Sequence, residues 1–299
     1  MSDYLISIEG TETGKLVALC LAVLAAALHA VFGALQKGKY DPWLSRGSMD
    51  FFYFLYALPF IFIVPWPEAH MWPIFAGVWV IHMGYKILQG YAYTKGAYTV
   101  VYPVVRGTGP FFAVIGAFFL FGEVFGPTQW LGLGVLMSGI LGLAAYNLRK
   151  VTVDRDTLPM ALGLAVCTGL FVALYTTYDA YGIRATANPF TFLAWFFVID
   201  GMTFPIVAAV RWLRITDRPA LLGLAKLGMV GGFVAPLSFG SIMLATRLDK
   251  VGEAAVLRET STVFAALIGW LVLKERVGPV RTGLMALIAL GAVIVEFGG

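Results

Sequence analysis

Ionisable side chains inside apolar stretches are the residues through which this chain could do chemistry. His82 and Lys86 lie four residues apart in one such stretch, and Tyr85 and Gln89 continue the same broad helix face. Polar groups of this kind are costly in hydrocarbon, so they bind one another, water or a solute. We therefore predict that this face contributes to a binding site for a small polar solute.

Two arginines, Arg106 and Arg258, lie near the middle of other apolar stretches. A guanidinium forms two parallel hydrogen bonds to a carboxylate, so either residue is suited to hold a carboxylated solute. In the alternative, structural interpretation, each arginine pairs with Glu259 or Asp179, or with free carbonyls of neighbouring helices. The sequence leaves both interpretations open.

The other candidates are aromatic or small polar residues that lie deep in apolar stretches or beside polar residues. Aromatic rings accept the apolar part of a solute, and Tyr and Trp also hydrogen-bond, although ordinary helix packing is the competing interpretation of any single ring. His29 and Asp179 are predicted proton carriers, the histidine because its ordinary pKa lies near physiological pH. The full set of predicted substrate-binding residues is His82, Tyr85, Lys86, Gln89, Tyr102, Arg106, Tyr175, Tyr178, Trp195, Ser238, Arg258 and Glu259.

Motifs of enzymes and of cofactor sites are missing from the sequence. There is no GxSxG, HExxH, CxxC or Walker loop, and the three histidines are scattered. We therefore expect no enzymatic activity, no cofactor and no bound metal. The expected partners are a small-molecule substrate and the lipid bilayer, with no nucleic acid.

The composition predicts which elements position these residues. Of 299 residues 60% are apolar and 13% charged, about half the roughly 25% charge of a soluble domain. With a mean hydropathy of +0.83 the chain cannot form one water-soluble core, and we predict an all-α integral membrane protein. Ten apolar segments, numbered 1 to 10 below, are predicted as transmembrane helices at 15–35, 48–65, 71–93, 97–121, 127–147, 159–181, 189–211, 220–246, 252–273 and 279–297.

The two halves of the chain align without a gap over a long stretch. At one constant offset Arg106 aligns with Arg258, and the Glu-x-x-Gly-Pro pattern ending at Pro127 aligns with the one ending at Pro279. We predict an internal duplication, with one five-helix repeat at 1–150 and a second at 151–299. Because five is odd, the second repeat enters the membrane from the opposite side, as in many secondary transporters.

The duplicated stretches also carry a family likeness. AYTVVYPVVRGTGPFFAVIGAFFLFGEVFGP, echoed as KVGEAAVLRETSTVFAALIGWLVLKERVGP, resembles the helix signature of the ten-helix, EamA-like branch of the drug/metabolite transporter superfamily. The resemblance implies alternating access and export of small polar metabolites, with amino acids, aromatic ones included, as the favoured substrates. The alternatives are a multidrug or nucleoside exporter, a channel-like facilitator and an intramembrane enzyme.

Position and orientation follow from the same segments. We expect the transport path between segments 3 and 4 of one half and segments 8 and 9 of the other, with segments 1 and 6 completing its wall and Trp195 at the opening. The glycine-rich part of segment 8 is expected to provide space. Most Lys and Arg residues at segment ends fall on one face, which predicts that this face is cytoplasmic and that both termini lie outside. The expected location is a bacterial-type inner membrane. The oligomeric state stays open, with a monomer compatible with the pattern.

Overall fold

The computed structural model describes residues 2–36, 40–96, 98–149, 157–271 and 278–299, and the regular elements in these ranges are all helices. A 3₁₀ helix, Leu58–Phe62, directly follows α3. The α-helices are α1 (Ser2–Ser7), α2 (Glu12–Gln36), α3 (Pro42–Ala57), α4 (Met71–Lys95), α5 (Tyr98–Phe121), α6 (Pro127–Leu148), α7 (Leu158–Ala185), α8 (Pro189–Gly201), α9 (Phe204–Arg214), α10 (Leu221–Leu248), α11 (Val251–Arg258), α12 (Ser261–Leu271) and α13 (Pro279–Phe297).

The predicted all-α membrane fold is confirmed. Seven helices or helix pairs in the described residues are long and apolar enough to cross a membrane, and they correspond to segments 1, 4, 5, 6, 7, 8 and 10. Segments 2, 3 and 9 correspond to α3 with its 3₁₀ turn, to α4, and to the pair α11 and α12. Each of these three segments carries some of the buried charged groups described below.

Local sequence explains where several helices begin. Proline occupies the first turn of α3, α6, α7, α8, α9 and α13, where its missing N–H costs nothing. Asp41 caps α3 by accepting a hydrogen bond from the backbone N–H of Trp43 at 2.9 Å, and Asn188 caps α8 in the same way. Segment 2 therefore begins at residue 42 rather than 48. Arg46, which the basic-residue pattern assigns to a segment end, is buried within α3.

The helices pack in pairs that are equivalent between the two halves. Helix α2 packs on α10 as α7 packs on α4, and α5 packs on α7 as α11 and α12 pack on α2. Segments 5 and 10 (α6 and α13) pack on each other, as do segments 2 and 7. This is the pairing expected of two five-helix halves related by a two-fold axis. The predicted boundary at residues 150 and 151 lies outside the described residues.

Glycines allow the closest of these contacts. A Cβ atom at Gly132 or Gly139 of α6, or at Gly291 of α13, would overlap the backbone of the opposite helix. In α10, Gly231 and Gly232 lie against Met49 and its neighbours on α3. The expectation that the glycine-rich part of segment 8 provides space is therefore wrong at these glycines, because α3 fills that space.

Candidate functional site

A network of charged side chains joins α3, α4 and α8 inside the protein. The Nζ atom of Lys86 lies 2.7 Å from Asp50 Oδ2 and 2.7 Å from Asp200 Oδ1. Arg46 Nε lies 2.7 Å from Asp50 Oδ1, one helical turn along α3. Tyr53 donates a hydrogen bond to Asp200 and accepts one from Lys86 at 3.1 Å. We call these five buried residues the lysine network.

His82 connects the lysine network to α7. Its Nε2 atom lies 2.9 Å from Asp179 Oδ2, and its Nδ1 atom lies 3.5 Å from Asp200 Oδ1. The imidazole is buried against the rings of Tyr175 and Phe196, with ring centroids 4.8 and 5.1 Å away. The histidine therefore lies between two carboxylates from two different helices.

A second charged group, the arginine cluster, consists of Arg106, Arg258 and Glu259. Arg106 Nε lies 3.1 Å from Glu259 Oε2, and Arg106 Nη2 donates to Ser261 Oγ at 2.9 Å. Arg258 donates to Thr176 Oγ1 at 3.2 Å and lies 3.9 Å from Glu259 Oε1. The cluster thus joins the fourth segment to the ninth, as the structural interpretation of Arg106 requires.

Glu259 lies where segment 9 is interrupted, between α11 and α12. Its counterpart at the repeat offset is Gly107, which lies inside the continuous helix α5. Interrupted membrane helices with polar groups at the break are typical of transporter binding sites. The two halves therefore differ at the arginine cluster.

Three small cavities follow one another between these groups, each of about 10 Å³, enough for about one water molecule. The first, near the start of α3, is lined by Arg46, Lys86 and Gln89 among others. The middle cavity is lined by Arg46, Tyr53, His82, Tyr85, Phe196, Phe197, Asp200, Ala235 and Phe239. The third, near the end of α10, is lined by Tyr175, Thr176, Asp179, Phe239, Ile242, Met243, Thr246 and Arg258.

Arg46 borders the first and middle cavities, and Phe239 borders the middle and third. The cavities therefore form a row from the start of α3 to the end of α10, in which each cavity shares a lining side chain with the next. A solute larger than water can occupy this row only if helices move apart.

The row includes many of the residues predicted from the sequence. The predicted site and proton residues that line it are His82, Tyr85, Lys86, Gln89, Tyr175, Asp179 and Arg258. Two more lie next to it, because Glu259 is 3.9 Å from Arg258, which lines the third cavity, and Arg106 is 3.1 Å from Glu259. Tyr102 lies behind them, with its ring centroid 5.8 Å from the Arg106 guanidinium carbon.

The structure places other predicted residues elsewhere. Ser238 donates to the carbonyl of Ala25 at 2.9 Å in the contact between α10 and α2, so its hydroxyl is already occupied by packing. Tyr178 is only partly buried, and its ring packs near that of Tyr181. His29 is buried between the rings of Phe32 and Phe239.

Trp195 lies in a cluster with Trp66 and Trp72, whose ring centroids are 4.8 and 5.2 Å from its own. The three cavities do not include it among their lining residues. The expected wall of the transport path also needs correction, because the residues that line these cavities belong to segments 2, 3, 6, 7, 8 and 9. Segments 2 and 7 take the places that we expected segments 1 and 4 to fill.

Sequence reasoning missed Arg46, Asp50 and Tyr53 on α3. Asp200 on α8 is recognisable as an ionisable residue inside an apolar segment, but it is not among the predicted binding residues. The spacing of four and three residues along α3 puts the first three on one helix face, a signal that the late predicted start of segment 2 concealed. Within the described ranges, no group of three or more His, Cys, Asp or Glu residues is placed to hold a metal ion.

Comparison with known proteins finds a family model that matches part of the chain and a solved structure with a similar fold. The model of the EamA-like transporter family matches residues 159–297. A solved structure, described only as a crystal structure of a protein, is similar with a TM-score of 0.73 over 96% of this chain and 99% of its own. At 16% sequence identity this similarity shows the fold alone. No curated protein sequence matches the chain.

Proposed function

Residues 159–297 are an EamA-like transporter domain, and on that premise we propose that this multi-pass membrane transporter moves zwitterionic amino acids, aromatic ones included, out of the cytoplasm. The mechanism is alternating access between the two five-helix halves. The substrate-binding residues are those of the cavity row, above all Asp179 and Arg258.

One observation carries this proposal: the third cavity has opposite charges on its walls. Asp179 and Arg258 both line it, together with the rings of Tyr175 and Phe239. An amino acid offers an ammonium to the carboxylate, a carboxylate to the guanidinium and an apolar side chain to the rings. A purely apolar or cationic drug would leave the guanidinium without a partner.

The form of the cavities supports a carrier over a pore. Side chains that line two neighbouring cavities interrupt the row, so within the described residues the row is not a continuous channel for an amino acid. The equivalent packing of the two halves provides two related arrangements that could open the row to opposite sides in turn.

Counterflow in proteoliposomes tests the substrate class. A labelled aromatic amino acid should exchange in a saturable way, whereas the matching amine without its carboxylate should exchange poorly. Loss of one charge-assisted hydrogen bond costs about 1.5–3 kcal/mol, so Arg258→Gln should weaken amino-acid exchange about tenfold or more. The same variant should change exchange of the amine much less.

Arg218→Gln is the matched control, because this arginine is exposed and bonds the backbone of Leu213. Equal exchange of the amine and the amino acid would point instead to a multidrug exporter. Flux that does not saturate would point to a pore.

A further inference from the structure

We propose that the surface groove between α3 and α10 binds one anionic phospholipid, with an acyl chain in the groove and the phosphate at Lys226 beside the start of α10. The groove shares no lining residue with the three cavities of the row. The inference is therefore independent of the transported substrate. Three observations carry it: the groove itself, the placement of Lys226 and the uncapped start of α10.

The groove is large and apolar. It has a volume of about 680 Å³, and its lining residues come from the end of α3, the 3₁₀ helix and α10. These residues include Leu55, Tyr56, Phe60, Met229, Val230 and Phe233. All of them are exposed on a helix pair within the membrane-spanning part of the protein, so the groove opens toward lipid. The hydroxyl of Tyr56 donates to the carbonyl of Met229 at 3.4 Å, which leaves a hydrocarbon surface suited to an acyl chain.

Lys226 lies on the same face of α10 as the groove. It precedes Met229 and Val230 by three and four residues, so these side chains are neighbours on the helix surface. Side chains on a helix lean toward its N-terminus, so the ammonium extends toward the start of α10 and the membrane surface. Lys226 is exposed, and within the described ranges it forms no ion pair or hydrogen bond. It is free to bind the phosphate of a lipid whose chain lies in the groove.

The start of α10 also favours an anion. Its N-cap residue, Ala220, accepts no hydrogen bond through its side chain, so the N–H groups of the first turn lack a side-chain cap. The positive end of the helix dipole lies at the same place. The chain just before it is basic, because residues 211–226 contain four basic residues and one acidic residue, namely Arg211, Arg214, Arg218 and Lys226 against Asp217.

This charge decides among the possible occupants. A phosphatidylcholine headgroup would bring its own cation toward these basic residues, whereas an anionic headgroup brings none. A second copy of the chain, docked on the same groove about a two-fold axis, would bring the same basic residues of both copies toward each other. An anionic phospholipid alone matches both the apolar groove and the positive end.

A lipid in this position contacts α3 and α10 at once. The inner faces of the same two helices line the middle cavity, through Arg46 and Tyr53 on α3 and Ala235 and Phe239 on α10. Because the lipid binds the folded pair of helices and not the unfolded chain, its binding should raise the free energy of unfolding.

Lipid titration of the purified full-length protein in detergent tests the site. Phosphatidylglycerol and phosphatidylcholine with the same acyl chains are added separately, native mass spectrometry counts the lipids retained, and the thermal unfolding temperature reports stabilisation. We expect the wild type to retain one phosphatidylglycerol and to unfold several degrees higher in its presence. Phosphatidylcholine should do neither.

Two variants separate the headgroup contact from the chain contact. Lys226→Gln should weaken phosphatidylglycerol binding about fivefold, the effect of one cation near an anionic headgroup. Its control is Lys15→Gln, because Lys15 is exposed, pairs with Glu12 and lies near Asp249 at the opposite end of α10.

Val230→Trp fills the groove and should abolish retention of phosphatidylglycerol. Its control is Val293→Trp on α13, because the two valines are equally exposed, at 52% each, and Val293 lies outside the groove. Both tryptophan variants replace lipid-facing residues, so we expect both to fold.

Three results would overturn the inference. Equal stabilisation by phosphatidylglycerol and phosphatidylcholine would show that the groove holds ordinary bilayer lipid. Wild-type affinity for phosphatidylglycerol in Lys226→Gln or in Val230→Trp would place the lipid elsewhere. A dimer mass that Val230→Trp removes would identify a second copy of the chain as the occupant.

Discussion

At the scale of single residues, two arginines of the same repeat position have different surroundings. Arg106 has both of its hydrogen-bond and ion-pair partners in segment 9, namely Glu259 and Ser261. Arg258 borders a cavity and bonds one hydroxyl, that of Thr176. The internal repeat therefore identifies the two arginines as equivalent positions. It cannot assign a role to either one, because the role depends on which residues of the opposite half lie nearby.

Replacing Arg106 tests this difference. Arg106→Gln leaves Glu259 buried without its closest cation, a loss that costs roughly 3–5 kcal/mol for a buried pair. We expect a clear fall in the thermal unfolding temperature and in protein abundance, measured by fluorescence-detected size-exclusion chromatography. Arg258→Gln should keep both near the wild-type values.

The double variant Arg106→Gln, Glu259→Gln removes both charges and should recover part of the lost stability. If Arg106→Gln and Arg258→Gln lower the unfolding temperature equally, the distinction between the two arginines is wrong.

Single residues also show which parts of the site can be predicted from the sequence. His82 and Lys86 could be identified because each is a lone ionisable residue with a polar neighbour on an otherwise apolar helix. Asp50 could not, because it lies only two residues inside the predicted start of segment 2 and not in the middle of an apolar stretch. Ser238 was misleading because a hydroxyl in a membrane helix is satisfied as readily by a neighbouring carbonyl as by a solute.

At the scale of elements, α7 and α10 are joined at their C-terminal ends by a reciprocal pair of arginines. Arg184 of α7 donates to the carbonyls of Thr246 and Asp249 at 2.8 and 2.7 Å. Arg247 of α10 donates to those of Ile183 and Thr186 at 2.6 and 2.7 Å. Each arginine thus binds carbonyl groups that the end of the other helix leaves free.

Carboxylates outside these two helices hold the arginines in place. Arg247 pairs with Glu9, and Arg184 lies 3.6 Å from Glu123. Glu123 also accepts hydrogen bonds from the backbone N–H groups of Val251 and Gly252, so a residue of the first half caps α11 of the second. We call this contact between the ends of α7 and α10 the arginine joint. Thr246, which lines the third cavity, lies within it, so the joint closes that end of the cavity row.

Opening of this joint can be measured by thiol labelling. In a protein with Cys20 and Cys167 replaced by alanine, a cysteine at Thr246 should react slowly with a water-borne thiol reagent. Adding Arg184→Ala and Arg247→Ala should raise the labelling rate several-fold, because the free carbonyls then bond water and the helix ends separate. A cysteine at Leu136, buried between α6 and α13, is the control and should stay unreactive in both backgrounds.

A labelling rate at Thr246 that the two alanines leave unchanged would show that the arginines do not close this end.

Hydropathy predicts the bounds of purely apolar helices well. It predicts the bounds of helices that also carry charged residues less well. Long apolar helices such as α7 and α10 were predicted close to their observed bounds, and proline marks many helix starts. The interruption between α11 and α12 was not predicted, because it depends on how Glu259 is held by Arg106 of another helix.

At the scale of the whole molecule, the basic residues at the segment ends predict how the protein sits in the membrane. A reporter fused after Gly299 should behave as periplasmic, and one inserted at Asp154 should behave as cytoplasmic. The first cavity would then face the cytoplasm and the arginine joint the outside. A cytoplasmic reporter at Gly299 would reverse this orientation and leave the two-fold packing of the halves unchanged.

Seven of the ten predicted segments match described helices that are long and apolar enough to cross a membrane, so much of the membrane-spanning part can be predicted from the sequence. Which helices meet cannot, because it depends on where small residues permit close approach, as Gly291 does between α13 and α6. The placement of segments 2 and 7 beside the cavities follows from such contacts.

The lysine network also affects how the protein is synthesised. Until segment 7 leaves the ribosome, α3 and α4 bring two cations, Arg46 and Lys86, into the bilayer with Asp50 as their one carboxylate within the network. Asp200, which completes the balance, follows Lys86 by 114 residues. We therefore expect the early helices to enter the membrane with one excess positive charge and to stay beside the insertion machinery until the second half neutralises it.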